Sequence, residues 1–377
     1  MRYFDIFPSL KKEVTYLDNV SSLQLPREVI QAAKTAIESP HFTVGKGNSL
    51  ESNNRKKEVE RVREQIANFI NADSPREIFF LSNATQAMWS LSHLLVTAFE
   101  DGDEILLSPE DHESTITPWI HMVEKLKKFG RTIQIKHYFY KDNGEIDTEG
   151  IIKVIGPKTR LFIATQIHNI YGTKNEYDIA TIKQSMGPKG LTVVDVTESV
   201  GRTKVDVQAM KADFALFSAN KVFSIQGSGI LYARKNYANE FHVTATEKGS
   251  PNYLSIHSLG VALSFMNEYG ETKTFNDLAS LTRYAVESLK SLPNIEFSKG
   301  IGNCDISCSP GYGIISFRFH NISAVEVGFL LAEENIIVRA GDLCNSDKEY
   351  VRVGLHIYNT KEDIDLLIQK IKSLGIA

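Results

Sequence analysis

Apolar residues recur at helical spacing on a charged background from about residue 54, in RKKEVERVREQIANFINA, which predicts an amphipathic helix. The next apolar stretch, REIFFLSN, is short and continuous and ends in polar residues. Behind it TQAMWSLSHLLVTAF returns to the helical period, so the unit reads strand, tight turn, helix. DEILLSPEDH, TRLFIATQIHN, LTVVDVTES, DFALFSANK and SGILYAR each repeat the short apolar run, as strands buried on both faces of a largely parallel sheet do. Helical stretches such as WIHMVEKLKKFG and EYDIATIKQSMG separate several of them, and this alternation predicts an α/β doubly wound domain.

The texture changes after about residue 255. IHSLGVALSFMNEYG and TFNDLASLTRYAVESLKSL predict two long helices. GIISFRF, NIIVRAG and VRVGLHIY predict strands, and AVEVGFLLAEE and EDIDLLIQKIKSL two more helices. The expectation is a large domain over residues 14–255 and a smaller α+β domain made of 1–13 and 256–377, with no internal repeat.

Composition narrows the field. The chain has 377 residues, 42% hydrophobic and 23% charged, which is ordinary globular usage. Its 42 basic and 46 acidic residues are well mixed and leave a net charge of −4, which points to neither nucleic acid nor an anionic membrane surface. Three cysteines, Cys304, Cys308 and Cys344, argue for a reducing compartment. Cys304 and Cys308 have metal-like spacing, but two cysteines alone do not make a zinc site, and they read as ordinary. The start, MRYFDIFPSLKKEV, lacks a signal-peptide pattern, and no apolar run is long enough to cross a membrane. A soluble cytoplasmic protein is expected.

In open α/β sheets ligands bind where strands end and helices begin, so the polar residues there carry the candidate chemistry. Asp195 closes the apolar run of LTVVDVTES. Alone it is a turn or capping residue; beside a protonated pyridine nitrogen it would be a counter-ion. Lys221 follows Ser218-Ala219-Asn220 and precedes a strand bounded by Gly227 and Gly229. A lone lysine is usually solvated, but one between two apolar strands is partly buried, and burial makes its amine a usable nucleophile or base. Ser82-Asn83-Ala84-Thr85 opens a helix, whose free N–H groups suit both an N-cap and a phosphate.

The order of these segments resembles the class V group of fold-type I pyridoxal-phosphate (PLP) enzymes, the cysteine desulfurases and selenocysteine lyases. YLDNVSSLQLPREVIQA, NADSPREIFFLSNATQAM, EDHESTITPW, IHNIYG, VVDVTES, FSANK, VRAGDLC and VRVGLHIYNTKEDID carry the resemblance, which spans nearly the whole chain. It implies pyridoxal 5'-phosphate held as a Schiff base on Lys221, with His112 stacked on its ring, Asp195 on the ring nitrogen and Asn169 on the phenolic oxygen. Ala84, Thr85 and Ser218 would contact the phosphate. Arg352, a planar bidentate fork, would clamp the carboxylate of an amino-acid substrate, with Arg339 near it. Cys344 falls where desulfurases carry the cysteine that takes up sulfur; such a thiol needs exposure and a mobile loop, and an inherited, unused cysteine is the other reading. The resemblance also implies a homodimer, with Ser250 or its neighbours in EKGSPN reaching the second site, and a sulfur-acceptor protein.

Several positions depart from the pattern. Glu198 stands where a glutamine usually faces the phenolic oxygen; a carboxylate there disfavours a phenolate or is itself protonated. Asn220 replaces a histidine before the lysine and can still donate one hydrogen bond to the phosphate. Asn83 replaces a glycine, acceptable where the turn is left-handed. The Gly-rich hairpin expected after GILYARKNYANEF is absent or shortened, and the histidines that usually precede Cys344 are missing. The cofactor set is intact and the substrate side altered, so an aminotransferase, a C–S β-lyase or an epimerase is the alternative to a desulfurase.

Overall fold

The computed structural model describes residues 3–10, 13–45, 48–300 and 311–377; Cys304 and Cys308 fall outside them. A short strand β1 (Thr15–Tyr16) precedes the large sheet. That sheet is made of β2 (Ile78–Leu81), β3 (Glu104–Leu107), β4 (Gln134–His137), β5 (Thr159–Thr165), β6 (Leu191–Asp195), β7 (Phe214–Ser218) and β8 (Gly229–Ala233). Its order is β2-β8-β7-β6-β5-β3-β4. All neighbours from β7 to β4 are parallel; β8 alone runs antiparallel to both its neighbours. β2 therefore points the same way as β7, and the carboxyl ends of β2, β3, β5, β6 and β7 all open on one edge.

The two-residue period of the strands divides the core. Phe214 and Leu216 of β7 face one cluster, packed with Ala87, Met88 and Leu91 of the helix Ala84–Leu94 and with Trp119 and Met122 of the helix Glu113–Lys128. Ala215 and Phe217 face the other, packed with Val62 and Ile66 of the helix Leu50–Phe69 and Leu259 and Leu263 of the helix Tyr253–Tyr269. The helix predicted from residue 54 starts at Leu50, because Ser49 caps it by accepting from Ser52 N–H at 3.1 Å. Its first turn, LESN, is polar and has no apolar period to read.

The second sheet joins β9 (Ile295–Phe297), β10 (Ile314–Phe319), β12 (Arg339–Gly341) and β13 (Tyr350–Gly354) in the antiparallel order β12-β13-β10-β9. It packs its own cluster, including Val286 and Leu289, Val327 and Leu331, and Leu367 and Ile371 of three helices. NIIVRAG, predicted as one strand, is two. β11 (Ile336–Ile337) pairs in parallel with β1, and the chain then leaves that ladder to place Arg339 opposite Arg352 on β13.

Candidate active site

Lys221 lies in a single 3-10 turn, Ala219–Val222, at the carboxyl end of β7. The turn is fixed from both sides. Phe223 behind it has left-handed backbone, φ 61°, held by packing against Phe7, Phe265 and His356. Gly201 approaches so closely that an added Cβ would lie 2.5 Å from the Lys221 carbonyl oxygen. The lysine Nζ donates to Glu198 Oε1 at 2.8 Å and to the Val20 carbonyl. Glu198 is buried, and its second oxygen lies 3.6 Å from Arg202 Nε. Burial alone would raise this carboxyl; Lys221, Arg202 and Arg352 outweigh it and hold Glu198 below the usual range. The protonated form considered for Glu198 is thus disfavoured: it is an anion between two cations.

Asp195 ends β6. Its Oδ2 accepts from Thr115 Oγ1 at 3.0 Å and its Oδ1 from Thr197 N–H at 2.9 Å, which aims the carboxylate across the sheet edge. His112 caps the helix Glu113–Lys128, its Nδ1 accepting from Ser114 N–H at 3.1 Å. Burial foremost, with help from Lys221 and Arg352, lowers its proton affinity despite Asp195 and Glu198, so the ring is neutral and free to stack. Asn169 follows β5 and is buried; Nδ2 donates to Leu343 O at 3.3 Å, while Oδ1 has no partner. Beneath these lies Asp111, fully buried. Its Oδ1 accepts from Tyr140 Oη at 2.7 Å and its Oδ2 has no partner. Burial pushes this carboxyl up to about 7, the Tyr140 bond opposing and Asp195 and Glu110 adding to the rise.

At the end of β2, Asn83 has extended backbone, φ −170°, rather than the left-handed turn expected of it. Its Oδ1 caps the helix Ala84–Leu94 by accepting from Gln86 N–H at 2.7 Å, and Ser218 Oγ accepts from Ala84 N–H at 2.8 Å. Ala84 is buried and Thr85 exposed at the start of that helix. Asn220 donates weakly, at 3.4 Å, to the Ser21 carbonyl. Ser250 is exposed and lines a cleft of about 590 Å³ with Ser82, Gly227 and Ser228.

Arg352 is buried on β13. It donates to Asn169 O and to Ser21 Oγ, each at 3.1 Å, and Asp18 Oδ1 lies 3.7 Å away. Arg339 is exposed. Cys344 is half-buried with a free thiol, close enough to Arg352 to bear on its charge. The structure thus gathers Lys221, Glu198, Asp195, His112, Asn169 and Arg352 at one edge, with Ser218 joined to Ala84 beside them. Sequence reasoning missed Asp18, Val20 and Ser21, which cross over Lys221 and Arg352, as well as Thr115 and Arg202. YLDNVSS was the available signal; its backbone carbonyls carry none.

The site's orphans fit the implied cofactor. Asn169 Oδ1, Thr197 Oγ1 and Arg352 Nε are buried without hydrogen-bond partners, and a helix start and an oriented carboxylate face the same edge as the lysine. Among the described residues no cluster of three or more His, Cys, Asp or Glu could hold a metal, and no helix is long and apolar enough to cross a membrane.

A lysine after one strand of a mostly parallel sheet, with a carboxylate, an imidazole and an amide at three other strand ends, defines a fold-type I α/β enzyme. The chain belongs to the aminotransferase class-V family, a family of PLP-dependent enzymes, which it matches over residues 15–367. It is 28% identical to a cysteine desulfurase of Pectobacterium carotovorum over 398 residues, 96% of this chain and 94% of that one. It is also 28% identical to one of Wigglesworthia glossinidia brevipalpis over 403 residues, 97% and 95% of the two chains. Among solved structures, the apo cysteine desulfurase of Thermococcus onnurineus superposes with a TM-score of 0.86 at 22% identity, covering 96% of this chain and 94% of that one. The Escherichia coli cysteine desulfurase CsdA, in its S-sulfonic acid form, gives 0.86 at 21% identity over 99% and 98%.

Proposed function

We propose that this protein binds pyridoxal 5'-phosphate and removes sulfur from L-cysteine, which Cys344 takes up. The observation that carries the reading is the free thiol of Cys344, held on a loop bonded to Asn169 and adjacent to Arg352. An amino acid with its carboxylate on Arg352 meets that loop. The near full-length match to relatives named cysteine desulfurase supports the same assignment.

Lys221 would anchor the cofactor and move the proton at the substrate α-carbon. Asp195 would keep a proton on the ring nitrogen, His112 would cover the ring, and Asn169 and Glu198 would face the phenolic oxygen. Ala84, Thr85, Ser218 and Asn220 would hold the phosphate. Bound there, the cofactor accepts electrons as bonds at the α-carbon break. Cysteine and the Cys344 thiol would then become alanine and a persulfide on Cys344 Sγ, from which a thiol reductant frees sulfide. The reading includes a homodimer with Ser250 at the shared cleft, a sulfur-acceptor protein and a cytoplasmic location. It also divides the chain into residues 14–255 and 1–13 with 256–377; the second sheet and its own core support a separate C-terminal part, while Leu259 and Leu263 pack on the large sheet and β1 pairs with β11, which sets those stretches across the division.

L-Cysteine with a reductant should yield alanine and sulfide in equal amounts, and Cys344→Ala should lose at least about 90% of the sulfide, as removal of a covalent nucleophile does. Undiminished sulfide from that variant would overturn the persulfide step. One observation favours a second reading: Glu198, an anion bonded to Lys221, gives the lysine a different neighbour from the expected glutamine. Pyruvate and ammonia from cysteine would indicate a β-lyase, keto-acid-dependent transfer an aminotransferase, and loss of optical activity an epimerase.

A further inference from the structure

Cys344 and Asn345 both have left-handed backbone, φ 63° and 88°. Two successive non-glycine residues in that region persist only where the surroundings hold them. Part of the hold is internal. Asp342 Oδ1 accepts from Asn345 N–H at 3.2 Å, and Ser346 Oγ accepts from Leu343 N–H at 3.1 Å, which closes residues 342–346 into a compact turn. These bonds shape the turn without fixing where it sits.

Two contacts dock it. On the inner side Leu343 is buried and its carbonyl accepts from Asn169. On the outer side the Asn345 side-chain amide donates to two carbonyls, Pro109 O at 2.5 Å and Asp111 O at 3.1 Å. Those carbonyls belong to the segment that carries His112. The Cys344 loop is therefore tied to both walls of the site.

We propose that Asn345 is a latch: its amide pins the Cys344 loop onto the His112 segment and so positions the thiol at the substrate. Asn345 is exposed, so water competes for the same two carbonyls and the latch opens readily. A thiol that takes sulfur inside the site and gives it up outside needs both states. This role rests on the reading that Cys344 receives the sulfur.

Two variants of the cofactor-loaded protein test it. Asn345→Gly keeps the left-handed turn at no steric cost but deletes the amide. Asn345→Asp keeps the shape and replaces the donor by an acceptor facing two carbonyls. In both, iodoacetamide should alkylate Cys344 about tenfold faster, the loss expected for two modest hydrogen bonds, followed on its tryptic peptide by mass spectrometry. The kcat for sulfide release should fall by a similar factor with KM for L-cysteine unchanged, since Arg352 and Asn169 are untouched. Alkylation of Asn345→Gly at the wild-type rate overturns the latch, because the backbone alone then holds the loop. Faster alkylation with unchanged kcat overturns its positioning role. If alkylation accelerates as expected while Cys344→Ala releases sulfide normally, the latch stands and the desulfurase reading falls.

Discussion

Lys221 is defined by its neighbours. A lysine ammonium bonded to a buried carboxylate that also faces Arg202 is held in one place and one rotamer before any ligand arrives. Asp111 is the opposite case, a buried carboxyl with one good partner and one bare oxygen. Its carboxyl titrates at about 7 folded against 3.8 unfolded, so the folded protein binds the proton more tightly between these values and loses stability as pH rises through them. Asp111→Asn keeps the acceptor for Tyr140 and removes the charge. Between pH 5 and pH 8 the wild type should lose about 2–3 kcal/mol relative to this variant, read from urea unfolding at the two pH values. Parallel pH profiles would show that Asp111 takes up no extra proton on folding in this window, which overturns the raised carboxyl. Residue identity displayed Lys221, Asp195 and His112 because each is a polar residue closing an apolar run. It could not display Asp111, which differs from any loop aspartate only by what is packed around it.

Strand ends do the assembling at the next scale. β2 and β7 meet at the Asn83–Ala84 turn only because β8 runs antiparallel between them, and Gly229 at its start lets the three come together. A Cβ on Gly229 would lie 2.2 Å from the Asn83 backbone, with no flexible side chain to yield. Gly229→Ala should therefore push β8 away from the turn that carries Ala84 and Ser218. The expected cost is about 2 kcal/mol in stability with weaker retention of the cofactor, measured by thermal melting and by the bound cofactor's absorbance after dialysis. An unchanged melt would mean that the turn shifts freely. The apolar runs of β3, β5, β6, β7 and β8 were legible because burial on both faces writes itself as continuous hydrophobicity. The edge strand β4 was not, since QIKH is exposed or half-exposed along its length. Nor was the division of NIIVRAG, where a uniform apolar pattern serves two different ladders.

Across the whole molecule, Arg202 makes several of the polar contacts that join the two sheets. From the turn after β6 it donates to Tyr312 O at 2.8 Å, to Leu355 O at 3.0 Å and to Asn19 O at 3.1 Å, with Glu198 beside it. Arg202→Leu leaves three buried carbonyls and one carboxylate without their cation. It should cost about 3–5 kcal/mol in guanidinium unfolding and separate the transitions of the two parts; a single transition at the wild-type midpoint would show that the apolar interface alone couples them. The sequence by itself determined the α/β class, the run of strands and helices, and most of the residues at the strand ends, because hydrophobic period and chain order are properties of the chain. Tertiary structure alone decided that the turn of residues 18–21 crosses over Lys221 and Arg352, that Glu198 lies between Lys221 and Arg202, and that the Cys344 loop is docked on both walls of the site. Those outcomes rest on backbone carbonyls, burial and distances between segments far apart in the chain, and none of these is written in residue identity.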